Sequence, residues 1–60
     1  MKRKDILKKL AAAGYTFKEG RKHTKAYDSN GTFRTTIPRH TEVEEWTAED
    51  IEKQTGVKLK

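Results

Sequence analysis

The chain has 60 residues, of which 32% are hydrophobic and 38% charged, with a formal net charge of +5 and no cysteine. That length allows a single domain over residues 1–60 with a small core, so stability is expected to be marginal without a partner. Disulfides and cysteine-ligated metals are excluded, a reducing cytoplasm is the default compartment, and no membrane is expected, because no apolar run nears the ~20 residues of a span and Met1-Lys2-Arg3-Lys4-Asp5 leads into no signal-peptide region.

Ile6, Leu7, Leu10, Ala11 and Ala13 recur at three- and four-residue spacing, while Lys4, Lys8 and Lys9 fall mostly on other faces. This periodicity predicts an opening helix. The alanines favour it intrinsically, and Gly14 suits the left-handed position just past its end. Tyr15-Thr16-Phe17-Lys18-Glu19 alternates aromatic and polar residues, predicting a short strand that ends at Gly20. Two more alternating runs, His23 to Tyr27 and Thr32 to Ile37, flank Asp28-Ser29-Asn30-Gly31, whose Asn-Gly pair predicts a type I′ hairpin turn. Pro38, with no N–H to donate, closes the third strand. After an irregular stretch, Thr47 is the expected N-cap of a second helix, with Ala48, Glu49 and Asp50 in its first turn. Gly56 follows its end, and Val57 and Leu59 return to the core.

The order α-β-β-β-α predicts an α+β fold, a three-stranded antiparallel sheet with two helices packed on one face. Alternation assigns Tyr15, Phe17, Tyr27, Phe33 and Ile37 to the inner face, with Ile6, Leu10 and Ile51 from the helices. His23 shares the parity of Tyr27, so strict alternation turns it inward, whereas its place at the strand's beginning favours an edge. The pattern leaves both open.

Charge divides the chain: residues 1–25 carry +7 and residues 26–60 carry −2. The basic half suggests a face for a polyanion, most simply nucleic acid, and the plain alternative is a pair of solvated helices of opposite charge. His23 lies in Arg21-Lys22-His23-Thr24-Lys25. A neutral imidazole beside an RNA phosphate can take the ribose 2′-OH proton, so that this oxygen attacks the adjacent phosphorus while lysine and arginine offset the developing charge. That route requires no metal. The ordinary alternative is a surface histidine bonded to the backbone. His40 is either a second acid/base group for the leaving 5′ oxygen or a loop residue packed on Trp46; the acidic run after it favours the second. The two histidines have no third ligand at metal spacing. The acids from Glu42 to Glu52 suit an exposed loop and a helix start better than a catalytic pair, and Trp46 suits the core or a partner contact better than a base stack.

A basic α-β-β-β-α chain of this size with Gly20-x-x-His23 opening the second strand and Ile37-Pro38-Arg39-His40 closing the third resembles the HicA toxins of type II toxin–antitoxin systems. Lys53-Gln54-x-Gly56-Val57 extends the resemblance, which runs from Leu7, Leu10 and Gly14-Tyr15 to Gly56. It implies a fold like a double-stranded-RNA-binding domain and a ribosome-independent mRNA interferase that works without a metal or other cofactor. It further implies His23 as the catalytic histidine and a HicB-like antitoxin that covers it. The chain departs from the family in having bulky Arg21 and Lys22 where a small residue often precedes the histidine, and in the acidity of Thr47 to Glu52. The expectation is therefore an RNA-cleaving toxin in which His23 is general base or acid. Arg21, Lys22, Lys25, Lys18 and, more weakly, Arg39 hold the mRNA backbone. Two readings of other classes stand beside it: a non-enzymatic module binding duplex RNA by shape, and a partner-binding protein that uses the acidic end. The module usually spans more residues and is basic at the start of its second helix, where this chain is acidic.

Overall fold

In the computed structural model, which describes residues 1–59, the chain runs α1 (Arg3–Ala12), β1 (Thr16–Glu19), β2 (His23–Tyr27), β3 (Phe33–Pro38) and α2 (Glu45–Thr55). The strands form one antiparallel sheet in the order β1-β2-β3. The core joins Ile6 and Leu10 of α1, Ala26 and Ile37 of the sheet, and Ala48 and Ile51 of α2, so both helices cover the same sheet face. This is the α+β arrangement expected.

In α1 the buried residues are Ile6 and Leu10, one turn apart, while Ala11 and Ala12 are exposed. The alanines therefore contribute helix propensity rather than core. Gly14 has φ +92, the left-handed conformation expected after the helix, and Tyr15 then turns inward. The buried Tyr15 hydroxyl donates to the Thr55 carbonyl at 3.1 Å, joining the end of α1 to the end of α2.

The second helix begins at Glu45, two residues before the expected Thr47 cap, with Glu44 as its N-cap. The cause is tertiary. The Val43 N–H donates to the Met1 carbonyl at 2.7 Å, and the Arg3 N–H donates to the Thr41 carbonyl at 2.9 Å. Val43 is thereby held in the core, and the chain turns into the helix directly after it. Ala48, Ile51 and Thr55 recur at helical spacing on the buried side. Gly56 is left-handed with φ +73, and beyond it Leu59 is buried. Its N–H donates to a Glu52 carboxylate oxygen at 2.7 Å.

Two expectations about the sheet are corrected. Tyr27 and Phe33 do not join the core: Tyr27 is half-buried and Phe33 is 50% exposed. The inner face of β2 and β3 is instead made by Thr24, Ala26, Thr35 and Ile37. Alternation holds along β2, but Thr24 and Ala26 are the set that faces the helices. In β3, Phe33 shares the parity of Thr35 and Ile37 and is turned outward by a register irregularity between Ala26 and Tyr27, which sets it opposite Tyr27. The hairpin is also not type I′, which needs positive φ at both central residues, because Gly31 (φ +81) is its one positive-φ residue. Asp28 Oδ1 accepts from the N–H groups of Asn30 at 2.9 Å and Thr32 at 3.0 Å, and the Gly31 N–H donates to the Asp28 carbonyl at 2.9 Å. This side-chain-braced turn, closed by a left-handed glycine, is a three-residue hairpin loop.

Candidate active site

His23 opens β2, is exposed, and stands opposite Pro38, the last residue of β3. Its parity with Tyr27 is as read from the sequence, yet both lie on the outer face, where no helix packs. The Gly20 N–H donates to the His23 carbonyl at 2.9 Å. A Cβ added at Gly20 would lie 2.9 Å from that same oxygen, closer than real side chains come. The Gly-x-x-His spacing thus has a physical cause: the turn brings two backbones together and leaves no room for a side chain.

A polar network fixes this corner. The buried Thr24, next to His23, donates its hydroxyl to Glu19 Oε1 at 2.9 Å and accepts a hydrogen bond from Arg3 Nη2. Arg3 Nε donates to the Pro38 carbonyl at 3.0 Å. Glu19 also pairs with Arg39 Nη2 at 3.0 Å, and Arg39 donates to the Gly20 carbonyl. The start of α1 and the ends of all three strands are therefore clamped around the backbone of His23. Nothing in the spacing of Arg3, Glu19, Thr24 and Arg39 along the chain announced that they meet, since their approach depends on how α1 crosses the sheet.

The other sequence-predicted residues are distributed around this corner. Arg21 and Lys22 are exposed in the β1–β2 turn. Lys25 lies on the outer face directly opposite Lys18 of β1. Lys18 Nζ sits 5.5 Å from the centre of the Tyr27 ring. Arg39 is within reach of the group, but its guanidinium is engaged by Glu19 and Gly20, so it is first a brace for the turn.

On its other side His23 borders a cleft of about 610 Å³ between the end of β3 and the start of α2. His40 and Trp46 line the same cleft, with Glu42 and Glu44. Trp46 is 66% exposed, which removes it from the core and leaves it as a surface group. His23 accordingly stands where a basic, open sheet face meets a cleft with an acidic wall. Among the described residues no group of three or more His, Asp or Glu side chains converges as a metal site. Among the same residues no helix is long and apolar enough to cross a membrane.

The family model described as HicA toxin of bacterial toxin–antitoxin matches residues 3–57. No curated protein matched, and no solved structure matched.

Proposed function

Because the chain belongs to the HicA toxin family of bacterial toxin–antitoxin systems, matched over residues 3–57, we propose that it is a cytoplasmic, ribosome-independent mRNA endonuclease with His23 as its catalytic residue. The observation that carries this reading is an exposed imidazole on a clamped strand end beside four cationic side chains, Lys18, Arg21, Lys22 and Lys25. His23 takes the ribose 2′-OH proton, the 2′ oxygen attacks the adjacent phosphorus, and the 5′ oxygen leaves with a proton. The products are a 2′,3′-cyclic phosphate and a 5′-hydroxyl. The leaving oxygen takes its proton from solvent, because His40 lies in the cleft whose Glu42 and Glu44 wall disfavours RNA. The cations hold the RNA backbone and offset charge on the phosphorane oxygens, a role in which Arg39 contributes less because it is already paired.

The proposed partner is a HicB-like antitoxin. The cleft wall supports this assignment, because Glu42 and Glu44 suit a basic protein segment rather than RNA, and exposed Trp46 is the residue type that most often anchors an interface. The test is His23→Ala. An exposed position should leave fold and most RNA binding intact, while cleavage and growth inhibition disappear. Cleavage by this variant at the parental rate would remove His23 from the mechanism, and intact RNA with the parental protein would favour the duplex-binding module.

A further inference from the structure

The outer sheet face carries more than charge. Tyr27 and Phe33 are cross-strand partners there, with ring centres 5.8 Å apart and planes at 72°. Phe33 is half exposed, although the core is short of large residues and could have used an aromatic. Beside this pair, Lys18 and Lys25 stand directly opposite each other on neighbouring strands. Like charges in that register disfavour the sheet unless an anion lies between them. Lys18 also approaches the Tyr27 ring, bracing its orientation.

These groups lie in one line. His23, Lys25 and Tyr27 alternate along β2 on the same face, so each lies roughly 6.6 Å from the next, about 13 Å in all. We propose that this face binds single-stranded RNA, with a phosphate between Lys18 and Lys25 and a base stacked on the Phe33–Tyr27 pair, a few nucleotides from the phosphate held at His23. The inference rests on the endonuclease reading above and names its substrate class. A duplex does not fit the arrangement: its bases are already stacked on one another and present only edges and backbone, so the rings would have nothing to bind. An unpaired strand offers each base as a π-face, and aromatic groups beside cations are how proteins bind it without reading sequence. A protein segment is less suited, because Lys18 and Lys25 line the approach to the rings and call for an anion.

The experiment uses the full chain carrying His23→Ala, so that RNA is bound and not consumed. Affinity is measured by fluorescence anisotropy for a short unstructured RNA and for the same sequence as a duplex. Phe33→Ala should weaken single-strand binding roughly tenfold and leave duplex binding unchanged, with Phe33→Trp restoring affinity. A 2-aminopurine in the oligonucleotide should be quenched by the parental surface and not by Phe33→Ala. Circular dichroism checks that the half-exposed substitution leaves the fold intact. Single-strand affinity that ignores Phe33, or an equal loss for both RNAs, overturns the stacking inference; so does a Phe33 effect confined to a protein partner. These outcomes are separate from the endonuclease reading, which fails if the parental protein, with His23 and Phe33 both in place, leaves RNA intact.

Discussion

Gly20→Ala tests how tightly the corner around His23 is built. The new methyl would meet the His23 carbonyl oxygen at 2.9 Å, where ordinary contact begins at 3.4 Å, so the turn must open by about 0.5 Å. Overpacking of this kind costs about 1–3 kcal/mol. A domain of this size has roughly 3–9 kcal/mol of total stability, so the loss is a large share of it. Each kcal/mol lowers Tm by about 4–8 °C in a domain this small, so a fall of roughly 5–15 °C is expected from the lower part of that range. The same opening moves the backbone of His23. Misplacement by 1 Å can cost about a hundredfold in rate, which puts half that displacement near tenfold. The assay pairs a thermal melt with single-turnover cleavage of a short RNA, run well below the variant's Tm. Gly31→Ala is the control. Its φ of +81 makes alanine strained, but nothing lies within 4 Å of the added methyl and the site is at the far hairpin. It should lose about 1 kcal/mol and keep the cleavage rate. If Gly20→Ala melts and cleaves like the parental protein, or if the two glycine variants behave alike, the close approach at Gly20 does not position His23.

Two further outcomes follow from the packing and the charge. Ile37→Ala removes a fully buried side chain from the centre of a small core and should cost about 2–5 kcal/mol, leaving much of the chain unfolded at growth temperature by chemical denaturation. Lys25→Ala should weaken single-stranded RNA binding across sequences and reduce the slope of log affinity against log salt by about 0.7, as measured by anisotropy over a salt series. An unchanged slope would mean that Lys25 does not meet a phosphate.

Much of this architecture was legible along the chain because it depends on local rules. The apolar spacing of Ile6 and Leu10 marked a helix, the alternation around His23 and Ile37 marked strands, and Gly14 and Gly56 marked helix ends, each through a backbone preference that acts over a few residues. Gly20-x-x-His23 and the split of charge between the two halves pointed to one corner of the molecule. The hairpin lies where Asn30-Gly31 marks it, but its turn type differs because Asp28 offers a side-chain acceptor to two N–H groups, which outweighs the Asn-Gly preference for a type I′ turn.

The rest required the tertiary structure. Alternation divides a strand into two sets of residues but does not say which set is covered; that depends on where the helices lie. Here they lie on the side of Thr24 and Ala26, so Tyr27, Lys18, Lys25 and His23 face outward together. Phe33, which has the parity of the buried Thr35 and Ile37, joins them through the register irregularity that pairs it with Tyr27. The same packing carries Arg3 to Thr24 and Pro38, holds Val43 against Met1, starts α2 at Glu45 and leaves Trp46 in solvent beside His40. Local sequence thus determined the elements and the basic character of one half. Long-range packing, which no short window of sequence encodes, decided which residues share the surface with His23.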